Sequence, residues 1–279
     1  GRTHKNKTGF DLVGIFAGSE GMLGIITEIT LKLIAHPPTR SAISAVFNSP
    51  RQAAKAVQSL ILSGIGVAAL EVADSFTLAA ARARLGDSVV PKGKAHLLSE
   101  IDGTETAVAD AIETAEAIVA EHGATHITSA HGDAGCEKLW SLRREFSASL
   151  KATGLTKLNE DITVPRSRLV DMFTFGATLQ KKHGIAVACF GHAGDGNIHT
   201  NIMADFTQPG VKKTTDIMLD ELFDQVLAWG GTISGEHGIG IAKKKWWPRA
   251  ASPELRTLHA TVKNALDPQG ILNPGKFLG

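Results

Sequence analysis

The sequence predicts an α+β fold built on a ferredoxin-like antiparallel sheet with helices. Three observations predict it. Leaving out one short helical insert, strand and helix patterns between Ile43 and Ser129 run β-α-β-β-α-β, the split unit of that fold. Ser49 is the candidate cap of a helix with Pro50 at its first position, and glycines Gly64 and Gly123 stop the two helices of this unit. An apolar share of 43% against 20% charged residues, in 279 residues, suffices for a packed core.

Taken in order, Ile43–Phe47 reads as a strand, 49–62 as a helix and Val67–Val72 as a strand. A short helix over Ser75–Leu85, a strand over Ala95–Ile101, a helix over Thr104–His122 and a strand over Thr125–Ser129 follow. The second half predicts helices at Gly135–Leu150, 167–183, 211–229 and 253–265, with strands near 158–164, Ala186–Phe190 and 198–203. Ahead of all these, Phe10–Phe16 is strand-like. Gly24–Leu33 alternates and is β-branched, so a strand is expected there, ended by Pro37-Pro38.

A net charge of +1 gives no field that would favour nucleic acid or an acidic membrane. Lys243-Lys244-Lys245-Trp246-Trp247 is too short a basic run to reverse that and reads as a loop continuing into a surface helix. No apolar run is long enough to span a bilayer, and no secretory signal is found. Two distant cysteines, Cys136 and Cys189, fit a reducing compartment; the expected location is cytoplasmic, with a peripheral place at the inner membrane as the alternative. The opening, from Gly1 to Phe10, reads as an internal point of a longer protein.

The chemistry concentrates in two glycine-rich stretches. In Phe190-Gly191-His192-Ala193-Gly194-Asp195-Gly196-Asn197-Ile198-His199, Asp195-Gly196 predicts a two-residue hairpin turn. His192 then pairs with His199, the Cβ atoms about 4.5–5.5 Å apart, and Asn201 shares their face. That spacing suits two ligands of one metal, although two structural histidines flanking a turn would look the same. Ser234-Gly235-Glu236-His237-Gly238 adds a carboxylate, giving a His/His/Glu set with open positions. Adjacent side chains diverge, which favours Glu236 as ligand and His237 as base. Arg143, on a helix with Trp140 and Ser147, is a candidate fork for a carboxylate, or else a solvated helix-face arginine. Asn159-Glu160-Asp161 puts three polar residues in a row on a strand, as a wet cavity or an exposed strand start would require. Gly18-Ser19-Glu20-Gly21-Met22-Leu23-Gly24 lacks the Lys-Ser/Thr end of a P-loop.

Four ordered motifs now converge: Gly18–Thr27, Gly191–His199, Ser234–Gly240 and Leu272-Asn273-Pro274-Gly275-Lys276. Together they resemble the FAD-linked oxidases of the vanillyl-alcohol-oxidase superfamily, in the D-lactate, glycolate and D-2-hydroxyglutarate dehydrogenase branch, over its C-terminal portion. The resemblance implies that residues 1–38 hold the last strands of an FAD-binding domain. Residues 39–264 would be the substrate- and metal-binding cap, and 265–279 a tail returning toward the FAD domain. It implies His192, His199 and Glu236 as ligands of a divalent metal, usually zinc, and His237 as base. Arg143, Ser147 and Asn201 would meet the substrate, and Gly21, Gly24, Ile25, Ile26 and Asn273 the FAD. Asn159 stands where the family carries a lysine, and the upstream loop for the FAD pyrophosphate is not in the sequence. The implied reaction is oxidation of a 2-hydroxy acid to the 2-oxo acid, with a quinone, a cytochrome or an electron-transfer flavoprotein as acceptor. This chain alone would be inactive, and a homodimer is left open. A His/His/Glu metallohydrolase and a non-catalytic hydroxy-acid binding module are the rival readings. The phenol-oxidising branch leans on tyrosines, and this chain has none.

Overall fold

In the computed structural model, which describes residue 3 and residues 5–278, the elements follow in chain order: α1 (Leu12–Phe16), β1 (Thr39–Phe47), α2 (Pro50–Leu62), β2 (Val67–Ala73), α3 (Ser75–Leu85), β3 (Ala95–Gly103), α4 (Glu105–Glu121), β4 (Ala124–His131), α5 (Gly132–Lys151), β5 (Thr156–Thr163), α6 (Leu169–His183), β6 (Ala186–His192), β7 (Asn197–Ala204), α7 (Val211–Ala228), α8 (Trp247–Ala250) and α9 (Pro253–Leu266). Of the opening residues, Gly1, Arg2 and His4 lie outside the described set. Two compact units emerge, His36–Gly235 and a second made of Gly1–Ala35 with Glu236–Gly279. The sequence expectation placed its boundaries at 38/39 and 264/265. No helix among the described residues is long and apolar enough to cross a membrane.

All seven strands belong to the 36–235 unit and form one sheet, ordered β4-β1-β3-β2-β6-β7-β5. Every neighbouring pair is antiparallel. The first four positions are the ferredoxin-like order, with α2 and α4 as the connections that carry the chain back across the sheet. This is the fold class expected from the sequence, extended by three strands joined to β2. Local chemistry sets the helix starts: Ser49 accepts from Gln52 N, Asp74 from Thr77 N and Thr104 from Ala107 N, each satisfying an orphan N–H of the first turn.

Helices pack on both faces of this sheet. Ser41–Phe47 is buried at every position, whereas a half-covered strand would alternate. On the face of Ala42 and Leu98 the cover is α5, through Cys136. The face of Ile43, Ala45 and Phe47 is left to α2 and α4. A larger apolar cluster joins Leu142, Phe146 and Leu150 of α5 to Leu78 and Ala81 of α3 and to Phe190 of β6. The α5 helix lies outside the split unit, which is why the four-strand pattern did not reveal it.

The second unit has a different character. The strand-like start becomes the short helix α1, because Asp11 accepts a hydrogen bond from Gly14 N and caps it. Gly24–Leu33, expected as a strand, forms no ladder: it runs without hydrogen-bonded neighbours among the described residues, with Ile25 81% and Leu33 86% exposed. Alternation makes an amphipathic ribbon possible, but only a partner strand satisfies its N–H and C=O groups. Polar tethers hold this unit together. The Glu20 carboxylate, on a residue with φ of +51°, accepts from Ile239 N at 2.6 Å and Gly240 N at 2.7 Å. Asn273 Nδ2 donates to Glu20 O at 2.5 Å. The Lys263 ammonium donates to Met22 O and Leu272 O, each at 2.8 Å, and to the Asp267 carboxylate. Trp246 is buried, and Trp247 meets the His259 and Phe277 rings edge-on at 5.3 and 4.8 Å, so the aromatics beside the lysine run serve internal packing.

Candidate functional site

Strand register assembles the site on the face of the sheet that α5 covers. Residues paired across an antiparallel ladder share a face. Glu71 pairs with His192, His192 with Asn197, and Phe190 with His199. On the far side of β7, Asp161 pairs with His199, Asn159 with Asn201 and Thr163 with Asn197. One polar strip therefore runs across four strands, from Glu71 through His192 and His199 to Asp161.

The histidine pairing differs from the expected one. His192 stands opposite Asn197, not His199, because the connection is a four-residue turn, Ala193–Gly196. Neighbouring strands widen it: Gly194 N donates to Leu70 O and Val164 N to Gly196 O. At Gly196, with φ of +86°, a Cβ would collide with Val164 O, so only glycine fits. Two residues on from Asn197, His199 returns to the His192 face as a diagonal neighbour. The imidazole centroids lie 5.9 Å apart, edge to face. The shared face expected from the Asp195-Gly196 turn survives because the register is displaced by two residues, and that register was decided by the flanking strands.

Above this strip, α5 supplies Arg143 and Ser147. The Arg143 guanidinium carbon sits 5.0 Å from the centre of the Phe190 ring, and its Nε donates to Glu71 Oε2 at 2.5 Å. Its Nη groups have no hydrogen-bond partner among the described residues, so the fork that matches a carboxylate end-on stays available. Ser147 Oγ accepts from Lys157 Nζ at 2.8 Å. Burial lowers the Lys157 pKa, aided by the charge of Lys151. Asn201 is fully buried; its Nδ2 donates to Ala188 O and His199 O, and its Oδ1 has no partner among the described residues.

Two residues that matter, Glu71 and Lys157, were not singled out from sequence, and a third, Asp161, was noted only within the polar run Asn159-Glu160-Asp161. Glu71, 3% exposed, lies between His192 and Arg143. Burial pushes its carboxyl up, but the hydrogen bond from His192 and the Arg143 charge outweigh that, and its pKa falls below the ordinary carboxylate range. The same hydrogen bond raises the His192 pKa against the opposing effect of burial. A lone acid in the apolar run Val67–Ala73 was the signal, since a buried carboxylate requires partners. Lys157 lies two residues before Asn159, on the same face, where the resemblance had found no lysine. Asp161, fully buried, accepts from Asn197 Nδ2 at 2.6 Å, Ser234 Oγ at 3.2 Å and Gly235 N at 2.9 Å, anchoring the 232–235 loop to the sheet. A Cβ on Gly235 would collide with the Asn197 amide, so this close approach also requires glycine.

Glu236 and His237 begin the second unit, with Glu236 Oε1 3.6 Å from His237 Nε2, so their polar ends turn toward each other instead of diverging. In that unit Gly21 stands beside Asn273, whose amide a Gly21 Cβ would meet at 3.7 Å. A Cβ on Gly24 would run into the Phe16 ring, while Ile25 and Ile26 are exposed.

Comparison with known proteins agrees with this picture. Residues 36–277 match the family described as FAD linked oxidases, C-terminal domain. Glycolate oxidase subunit GlcD of Escherichia coli K12 is 36% identical over 269 residues, which is 96% of this chain and 54% of that protein. A D-lactate dehydrogenase of Anaerostipes hadrus is 31% identical over 281 residues, 98% of this chain and 59% of that one. The chain thus spans little more than half the length of these relatives. The crystal structure of p-cresol methylhydroxylase with substrate bound shares the fold, at a TM-score of 0.70 and 17% identity over 97% of this chain and 58% of that one. With a family match over most of its length and relatives above 30% identity, the chain belongs to the FAD-linked oxidases, as their C-terminal domain.

Proposed function

We propose that the complete protein uses FAD to oxidise a D-2-hydroxy acid of the lactate, glycolate or 2-hydroxyglutarate type to the 2-oxo acid, and that this chain supplies its metal and substrate site. The observation that carries the proposal is the His192–His199 pair on a polar strip facing the open fork of Arg143. Two imidazoles side by side suit a divalent ion such as zinc, and Glu71 engages His192 Nδ1, which leaves Nε2 for the ion. Glu236 is proposed as the third ligand. It follows Gly235 directly, and Gly235 is fixed to Asp161 on the same strip.

When bound, a divalent ion makes the substrate hydroxyl more acidic and FAD takes up the two electrons. The remaining steps fall to this chain. Arg143 binds the carboxylate, a charge-assisted contact worth about 1.5–3 kcal/mol. Ser147 and Asn201 orient the rest of the substrate. His237 takes the hydroxyl proton on an imidazole nitrogen. Gly21, Gly24, Ile25, Ile26 and Asn273 would line the flavin, a role supported by the Gly21–Asn273 contact and by the exposure of Ile25 and Ile26. A quinone, a cytochrome or an electron-transfer flavoprotein would take the electrons onward.

Calorimetric zinc titration of the purified chain, beside turnover of the full-length protein, tests this reading. His192→Ala and His199→Ala should each weaken zinc binding at least 100-fold. His237→Ala should retain the metal and lose turnover. Zinc binding that survives both ligand substitutions removes the metal assignment, and full turnover by His237→Ala removes the base.

A further inference from the structure

We infer that Glu71 is the positioning residue of this site, one carboxylate that fixes the ligand nitrogen of His192 and the carboxylate fork of Arg143 together. The inference rests on the metal reading above for its purpose, but its geometry stands alone. Glu71 and His192 are direct cross-strand partners of β2 and β6, so their side chains leave the sheet on one face. Each Glu71 oxygen has its own partner: Oε1 meets His192 Nδ1, and Oε2 accepts from Arg143 Nε at 2.5 Å.

A carboxylate that already accepts from a guanidinium has no hydrogen to offer His192. The imidazole must therefore carry its hydrogen on Nδ1, and Nε2 keeps the lone pair that a metal needs. Nε of Arg143 is held by Glu71 and its guanidinium carbon rests 5.0 Å from the centre of the Phe190 ring, so the guanidinium is fixed while its Nη pair keeps no hydrogen-bond partner among the described residues. The side chains on either side of Glu71 in its strand, Leu70 and Val72, are buried and apolar and offer no competing partner. Metal affinity and recognition of the substrate carboxylate are thus coupled through one residue that touches neither ion nor substrate.

The test is Glu71→Gln, with Leu98→Ala as a control for loss of stability alone, since Leu98 is the buried cross-strand neighbour of Glu71 on β3. A glutamine can turn its amide toward His192 and donate to Nδ1, which shifts the hydrogen to Nε2. Long-range proton–nitrogen NMR of the metal-free chain, at a pH where the imidazole is neutral, should show Nδ1–H in the wild type and Nε2–H in Glu71→Gln. Zinc affinity should fall about 10–100-fold in Glu71→Gln and change less than twofold in Leu98→Ala. An Nε2–H tautomer in the wild type overturns the inference without any variant. So does a Glu71→Gln protein with wild-type tautomer and zinc affinity. A wild type that shows Nδ1–H yet takes up no zinc leaves the Glu71 geometry standing and removes the metal reading.

Discussion

Two stretches on either side of Pro37-Pro38 carry similar patterns and have opposite fates. Thr39–Phe47 pairs along both edges, with β3 and β4, and is buried from Ser41 onward. Gly24–Leu33 also carries β-branched residues and alternates as well, but it has no ladder among the described residues, and its large apolar side chains are exposed. The contrast teaches that a strand is a property of pairs. β-branched residues favour an extended backbone, yet hydrogen bonds and apolar burial come from neighbours. In the 36–235 unit those neighbours form a seven-stranded sheet. The other unit is held by the Glu20, Lys263 and Asn273 tethers instead.

Substitutions can break or sharpen this contrast. The largest effect belongs to the paired stretch: Phe47→Ala should cost about 3–5 kcal/mol in urea unfolding followed by circular dichroism, and a loss below 1 kcal/mol would mean that β1 is not the centre of the core. Next comes a pH effect from the same sheet. His96 is buried, hydrogen-bonded to Ser44 Oγ at 2.8 Å, and its pKa is lowered to about 4 by burial and by the charge of Arg143. The unfolded chain binds this proton below about pH 6.5 and the folded chain only near pH 4, so acid in that window destabilises the fold by up to about 3 kcal/mol. Asp74, buried and raised to about 6, acts in the opposite sense, its contribution being lost as pH rises through that value. The stability gap between wild type and His96→Gln isolates the histidine: it should shrink as pH falls from 7 to 4, and a constant gap refutes the assignment.

A smaller loss is expected where the sheet holds the 232–235 loop. Asp161→Asn weakens the bonds to Asn197, Ser234 and Gly235 and should cost about 1–3 kcal/mol. Amide exchange at Gly235 should quicken in parallel, and unchanged exchange would show that the anchor lies elsewhere. At the bottom of the scale, Leu31→Ser in the unpaired stretch should change the stability of this chain by less than about 0.5 kcal/mol. A loss as large as that of Phe47→Ala would show that the stretch is packed in solution.

Much was legible from residue order alone. Ser49 and the glycines that end helices act within one turn, so local chemistry determined those boundaries. The glycine-rich stretches around residues 191–196 and 234–240 marked where backbone must approach closely, as at Gly196 and Gly235, and the Asp195-Gly196 turn placed the two histidines on one face. What sequence could not supply were the relations across strands. Leu70 and Val164 decided the width of the His192–His199 turn, β2 lying beside β6 turned an isolated acid at 71 into the partner of His192, and α5 closed a face that the split-unit pattern had left bare. Hydrogen-bond caps and turns depend on residues a few positions apart and are written in order along the chain. Register and side-chain pairing depend on residues dozens of positions apart, and they are fixed only when the whole sheet satisfies its hydrogen bonds at once.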